Sequence, residues 1–194
     1  EITSNSKETE AQYEQASRLY QLLSGGNPKK IPLQQFILGI MLDDILTYAN
    51  EFFSLLSRGR YSLRRLEGSA GGNAKSGLDL EVLDGFTGAP RSIETLSGGE
   101  QFLASLSLAF GLSDVVQSYS GSVRLDSIFI DEGFGSLDQD TLDTAMKALS
   151  QIQKMGRTVG IISHVSELKN RIATQIQVHP SKNGGSSITM IKDA

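Results

Sequence analysis

At 194 residues and 39% hydrophobic content, the chain can bury a real core, as one domain with an appendage. A net charge of −4 excludes a surface coated in positive charge for nucleic acid, but not a local basic patch. There is no cysteine, which excludes a disulfide framework or thiolate metal site; no signal peptide opens the chain, and no run of about 18 apolar residues marks a membrane span.

Residues 1–24 are polar and helix-prone, with Tyr13, Ala16, Tyr20 and Leu23 on a narrow seam. The start at Glu1, inside this pattern and without an initiator Met, reads as a piece of a longer protein. Ser24-Gly25-Gly26-Asn27-Pro28 breaks the helix. From Pro32 to Leu56 runs a long helix whose apolar residues, Phe36, Ile40, Ile45, Ala49, Phe52 and Phe53 among them, cover more than one face, so two sides need burial. Pro32 suits its first turn.

Between residues 58 and 86 the period changes. Tyr61–Leu66 and Leu78–Val82 alternate apolar and polar residues, as half-exposed strands do. Their connection, Gly68–Ser76, imitates a phosphate loop. That motif, however, requires glycine where Ser69 and Ala74 stand, and a helix rather than a strand should follow. It reads as a hairpin loop.

Leu96-Ser97-Gly98-Gly99-Glu100 opens a helix that continues to about Gln117, with Leu103, Leu106 and Phe110 on its apolar side. The Ser97 hydroxyl and the N–H groups of Gly98 and Gly99 lie at the positive end of the helix dipole. That arrangement suits phosphate and equally an ordinary serine cap.

Ile128-Phe129-Ile130 reads as a parallel strand buried on both faces. Asp131 and Glu132 follow at its C-terminal end, where open α/β sheets bind ligands. Pointing to opposite sides, one acid can hold a hard cation while the other faces a nucleophilic water; the plain alternative is two solvated acids. Gly133 and Gly135 supply a tight turn. A helix from Asp140 to Lys154 packs through Leu142, Ala145, Met146, Leu149 and Ile152, and Gly156 ends it. Thr158–Ile162 is a second buried strand, and His164 just beyond it can meet a phosphate oxygen or an attacking water, or serve as a polar terminus. Gln175–Val178 and Ser187–Ile191 close as a hairpin around Asn183-Gly184-Gly185; His179 carries no signal.

In order and spacing these pieces resemble the C-terminal half of the ATPase head in the SbcC family of SMC-like, ABC-type DNA-repair ATPases. The resemblance covers essentially the whole chain. It rests on Ala49-Asn50 with Gly59-Arg60-Tyr61, on T-L-S-G-G-E-Q-F-L-A-S-L-S-L-A-F-G-L-S-D from Thr95, on F-I-D-E-G-F-G-S-L-D from Phe129 and on V-G-I-I-S-H-V from Val159. Transporter ATPases usually carry Pro-Thr after the Asp-Glu, where Gly133-Phe134 stand here. The fold implied is α/β, the C-terminal lobe of an ABC-type head over 25–194, with a parallel-sheet core, flanking helices and small β-hairpins, after a coiled-coil stub at 1–24.

The resemblance also implies ATP and Mg²⁺ as cofactors. Ser97, Gly98, Gly99 and Glu100 would be the signature motif at the γ-phosphate of ATP held by an opposing head. Asp131 would be the Walker B acid supporting Mg²⁺ through water, Glu132 the general base, Asp138 part of the D-loop, and His164 the switch histidine. The implied partners are an N-terminal P-loop lobe of the same protein beyond a long coiled coil, a second SbcC head, the SbcD nuclease near the coiled-coil base, and double-stranded DNA, in the cytoplasm and with no membrane. Lys29, Lys30, Arg58, Arg60, Arg64 and Arg65 would meet DNA phosphates, or form a solvated charged face. Alone, the lobe would bind ATP poorly and hydrolyse essentially none. Two other readings stay open, a transport ATPase domain and a non-enzymatic binding module that kept the fold.

Overall fold

Helix α1 (Ile2–Leu23) and helix α2 (Leu33–Leu56) occupy the first two helical segments. Between them the chain turns at Gly25, whose φ is +100°. Ser24 Oγ donates to Tyr20 O at 2.6 Å, beside the Ser24 N–H, and Asn27 Nδ2 donates to Leu22 O at 3.1 Å, satisfying a carbonyl that the end of α1 leaves orphaned. The computed structural model describes residues 2–66, 78–121, 124–154, 156–181 and 184–192. The Gly68–Ser76 loop and Asn183 lie outside them. The chain divides into two units, up to Arg124 and from Leu125.

In the first unit, β1 (Tyr61–Arg65), β2 (Leu80–Asp84) and β3 (Ala89–Ser92) form an antiparallel sheet in that order. Strand β2 begins two residues later than its alternation predicts, and β3 carries Pro90, which belongs on an edge strand. The other edge, β1, is met by a side chain from α2. Asn50 Nδ2 donates to Leu63 O at 2.8 Å and Asn50 Oδ1 accepts from Leu63 N–H at 2.6 Å, imitating a neighbouring strand. Helix α3 (Gly98–Ser120) packs along α2. Phe53, Phe110, Leu63, Val82 and Val115 are fully buried and make the core of this unit.

The contact between α2 and α3 centres on Gly111. A Cβ there would stand 2.5 Å from Ile45 O and 2.7 Å from Ala49 N, both backbone atoms. Glycine costs a helix interior roughly 0.5–1 kcal/mol relative to alanine, and here it lets two helical backbones touch.

In the second unit, β4 (Ser127–Asp131) and β5 (Thr158–Ile162) pair in parallel, joined through α4 (Gln139–Lys154). Helix α4 buries Leu142, Ala145, Ala148, Leu149 and Ile152 and packs against β5. A short helix, α5 (Ser166–Lys169), follows, and β6 (Thr174–Pro180) pairs antiparallel with β7 (Ser186–Lys192). The expectation that both parallel strands are buried on two faces is not met within this chain. Ile130 is buried, but Phe129 on the other side of the strand is 73% exposed, lying across Gly160, and Ile162 is 56% exposed. Among the described residues this sheet is two strands wide, so the side away from the core stays open. The hairpin likewise carries Ile176 opposite Met190 and Val178 opposite Ile188, all exposed.

A Gly111→Val substitution is expected to push α2 and α3 apart and to lower the unfolding free energy by about 1–3 kcal/mol, read from the urea midpoint. An unchanged midpoint would mean that the helices separate freely there.

Candidate functional site

Strands β4 and β5 end in register, Asp131 opposite Ile162. One residue further, the Glu132 N–H donates to Ile162 O at 2.9 Å, and the chain then reverses through two successive left-handed residues, Glu132 at a φ of +62° and Gly133 at +95°. Glycine adopts this conformation freely and glutamate does so under strain. The turn expected at Gly133 and Gly135 therefore falls on Glu132 and Gly133; Gly135 keeps an ordinary φ. Buried Phe134 anchors the segment, and Ser136 Oγ closes it by donating to Gly133 O at 3.0 Å.

This geometry brings Glu132 to His164, two residues beyond the end of β5. His164 Nδ1 lies 3.1 Å from Glu132 Oε1 and 3.0 Å from Oε2. Both side chains are exposed, so a carboxylate and an imidazole converge at the strand ends where water and a phosphate can reach them. Asp131, also exposed, stands one residue before the pair. A single exposed carboxylate fits Mg²⁺, which binds through one or two carboxylates and keeps several waters. Asp138 caps α4, its Oδ1 accepting from Thr141 N–H at 2.7 Å.

In the first unit, Ser97 caps α3 through a reciprocal pair. Its Oγ accepts from Glu100 N–H at 3.4 Å, and Glu100 Oε2 accepts from Ser97 N–H at 2.8 Å. Ser97 and Gly98 are exposed at the positive end of a 23-residue helix, which fits an anion. The Glu100 carboxylate is turned inward rather than outward. Its Oε1 accepts from Tyr61 OH at 2.7 Å and lies 3.7 Å from Arg60 Nη1.

Behind Tyr61 is a polar cluster that sequence reading did not single out. Buried Asp84 accepts from Arg60 Nη2 at 3.1 Å and from Phe86 N–H at 3.0 Å. Arg91 Nη2 donates to Tyr61 OH at 3.1 Å, and Arg91 Nη1 donates to both Thr95 O and Thr95 Oγ1, at 2.9 and 2.8 Å. Arg91 Nε is buried with no hydrogen-bond partner among the described residues. The hydrogen bond from Arg60, against the opposing pull of burial, holds the Asp84 carboxyl below its ordinary range. Burial raises Glu100, but hydrogen bonds from Tyr61 and Ser97 and the charge of Arg60 together bring it below the usual range. Burial, then the bond to Glu100, pushes the Tyr61 phenol up. The Asp-Gly turn at 84–85 was the available signal for this cluster; nothing local marks Tyr61 and Glu100 as partners.

Of the basic residues considered for DNA, Lys29 and Lys30 are exposed in the α1–α2 connection and Arg58 follows α2. Arg60, Arg64 and Arg65 face carboxylates of this chain, Asp84 at 3.1 Å, Glu81 at 2.7 Å and Asp43 at 2.7 Å, which offsets much of their local charge.

Comparison with known proteins follows the same lines. Residues 76–151 match the family model described as SbcC/RAD50-like, Walker B motif. The SbcC subunit of nuclease SbcCD from Vibrio cholerae is 51% identical over 175 residues, covering 90% of this chain and 17% of that protein. Its counterpart in the nuclease SbcCD of Staphylococcus aureus strain JH9 is 49% identical over 161 residues, 83% of this chain and 16% of that one. Among solved structures, a chain from work on ATP-driven dimerization and DNA-stimulated activation of SMC ATPases superposes with a TM-score of 0.60 at 19% identity, over 81% of this chain and 89% of that one. The SMC head domain of Thermotoga maritima does so at 0.54 and 19%, over 82% and 51%. The fold is thus that of a C-terminal lobe of an SMC-type ATPase head. By sequence, the chain belongs to the SbcC family. It spans about one sixth of the length of the curated relatives it matches. No helix among the described residues is long and apolar enough to cross a membrane.

Asp84 and Glu100 bind protons more weakly folded than unfolded, so their contribution is present above the ordinary carboxyl range, near about 4, and is lost as pH falls through their lowered values. The unfolding free energy of Asp84→Asn should therefore fall less steeply below about pH 5 than that of the parent chain. Equal slopes in acid titrations of stability would rule Asp84 out as a source.

Proposed function

We propose that this chain is the C-terminal half of an SMC-like ATPase subunit in an SbcC–SbcD nuclease complex that processes DNA double-strand breaks. The observation that carries the reading is the meeting of Glu132 and His164 at 3.0–3.1 Å beyond two paired parallel strands, with Asp131 beside them. In this reading 1–24 is a coiled-coil stub, 25–194 is the head lobe, and the phosphate-binding loop belongs to an N-terminal half. Bound ATP with Mg²⁺ supplies the phosphoryl group and the charge neutralisation its transfer needs.

The residues of this chain position and accept. Asp131 holds the metal's water shell, and Glu132 takes the proton of the attacking water as general base. His164 orients Glu132 and meets the γ-phosphate. Ser97, Gly98 and Gly99 present a hydroxyl and N–H groups to nucleotide on the opposing head, where Asp138 also lies at the interface. ATP that binds only the paired heads stabilises the pair by linkage, and this pairing gates the nuclease of SbcD. The exposed Phe36, Ile37, Leu38, Ile40 and Met41 on the first half of α2 support SbcD docking there. Lys29 and Lys30, exposed between α1 and α2, meet DNA phosphates, and the assembly works in the cytoplasm.

ATP turnover of this chain, alone and mixed with a phosphate-loop-bearing N-terminal lobe, with and without duplex DNA, tests the proposal. Silence alone and DNA-stimulated turnover in the mixture are expected. Glu132→Gln should lower that turnover on the order of 10²–10⁴-fold while ATP-dependent pairing persists. Turnover by this chain alone, or turnover indifferent to Glu132, overturns it.

A further inference from the structure

The turn that begins α3 is held from two sides. On one, Arg91 Nη1 grips Thr95 through its carbonyl and hydroxyl oxygens, at 2.9 and 2.8 Å. On the other, Glu100 Oε2 holds the Ser97 N–H at 2.8 Å. Leu96 between them is buried. The two grips are joined, because Arg91 Nη2 donates to Tyr61 OH at 3.1 Å and Tyr61 OH donates to Glu100 Oε1 at 2.7 Å.

A reciprocal serine–glutamate cap starts a helix without help from another element. Here the glutamate is fastened to the sheet as well, through the buried phenol of Tyr61 and, behind it, the guanidinium of Arg91. The fork of one guanidinium spans Thr95 and Tyr61, which a point-charge amine does not reproduce. A carboxylate this near an anion-binding helix start would also repel the anion. Tyr61 and the Arg60 guanidinium, 3.7 Å away, hold it inward and offset its charge.

We propose that Tyr61 and Arg91 are positioning residues for the signature turn. Acting through Glu100 and Thr95, they fix the direction in which Ser97 Oγ and the N–H groups of Gly98 and Gly99 face the triphosphate of the opposing head. This rests on the reading that the Ser97–Gly99 turn receives phosphate. Tyr61 and Arg91 themselves touch no nucleotide.

The test uses the full-length protein with its nuclease partner. Tyr61→Phe keeps the ring stacked against Phe53, 5.9 Å between centroids, and deletes only the hydroxyl. The ATP concentration for half-maximal head pairing, measured well below the unfolding midpoints of both proteins, should rise roughly 3- to 10-fold, the worth of one or two hydrogen bonds. Arg91→Lys should show the same rise, since it keeps charge and loses the fork. Ser97→Arg, which fills the turn, is the control for the underlying reading. If Ser97→Arg abolishes pairing while Tyr61→Phe and Arg91→Lys match the parent, the positioning role is overturned. If Ser97→Arg leaves pairing intact, the phosphate reading itself fails. A lowered midpoint with pairing unchanged while the protein is fully folded assigns Tyr61 and Arg91 to stability alone and overturns the proposal.

Discussion

No side-chain atom fits between α2 and α3 at Gly111, and the first unit is arranged around that contact. Because the two backbones touch, Phe52 and Phe110 meet with 5.1 Å between ring centroids, and Phe53 is driven against Tyr61. The position of Tyr61 decides where its hydroxyl lies, and the hydroxyl decides where Glu100 turns. Asn50 pins β1 to the same helix through both atoms of its amide, so Tyr61, two residues before Leu63, has little freedom. A packing constraint in the middle of a helix pair thus reaches, by successive contacts, the N–H of Ser97.

The second unit obtains its geometry from strand register. Pairing Asp131 with Ile162 ends both strands at the same level, so that Glu132, one residue on, and His164, two residues on, leave the sheet side by side. The cap of α4 by Asp138 and the burial of Phe134 hold the far end of the intervening turn. Arg171 ties the region after α5 back to α4 through an ion pair with Asp143.

Helices α3 and α4, the parallel strands and the closing hairpin could all be read from period and punctuation, because each carries its own pattern within about twenty residues. Gly156 and the Ser97 cap marked helix ends as local chemistry does. Strand β3 was not legible, since four residues with a proline match no period. The open faces of β4 and β5 were not legible for the opposite reason: an unbroken apolar run records what a strand meets in its complete surroundings, and Phe129 meets water here. The partnerships of Arg60, Arg64 and Arg65 with Asp84, Glu81 and Asp43 join residues 17 to 24 positions apart by subtraction of their numbers. Charge counts assign such residues to a basic face without registering the acids opposite them. The candidate acids and the histidine were legible because both fall at the C-terminal ends of strands, where placement follows from topology alone.

Glu132 carries a tension between backbone and side chain. Its left-handed φ favours glycine, by about 1–2 kcal/mol over an ordinary residue, whereas the proposed chemistry needs its carboxylate. A laboratory selection for heat resistance that ignored turnover would be drawn toward Glu132→Gly, relaxing the turn and discarding the base in one step. Endurance and hydrolysis are set against each other at a single codon. Stabilised versions of this lobe are therefore best sought away from this turn, at positions that carry no part of the proposed chemistry.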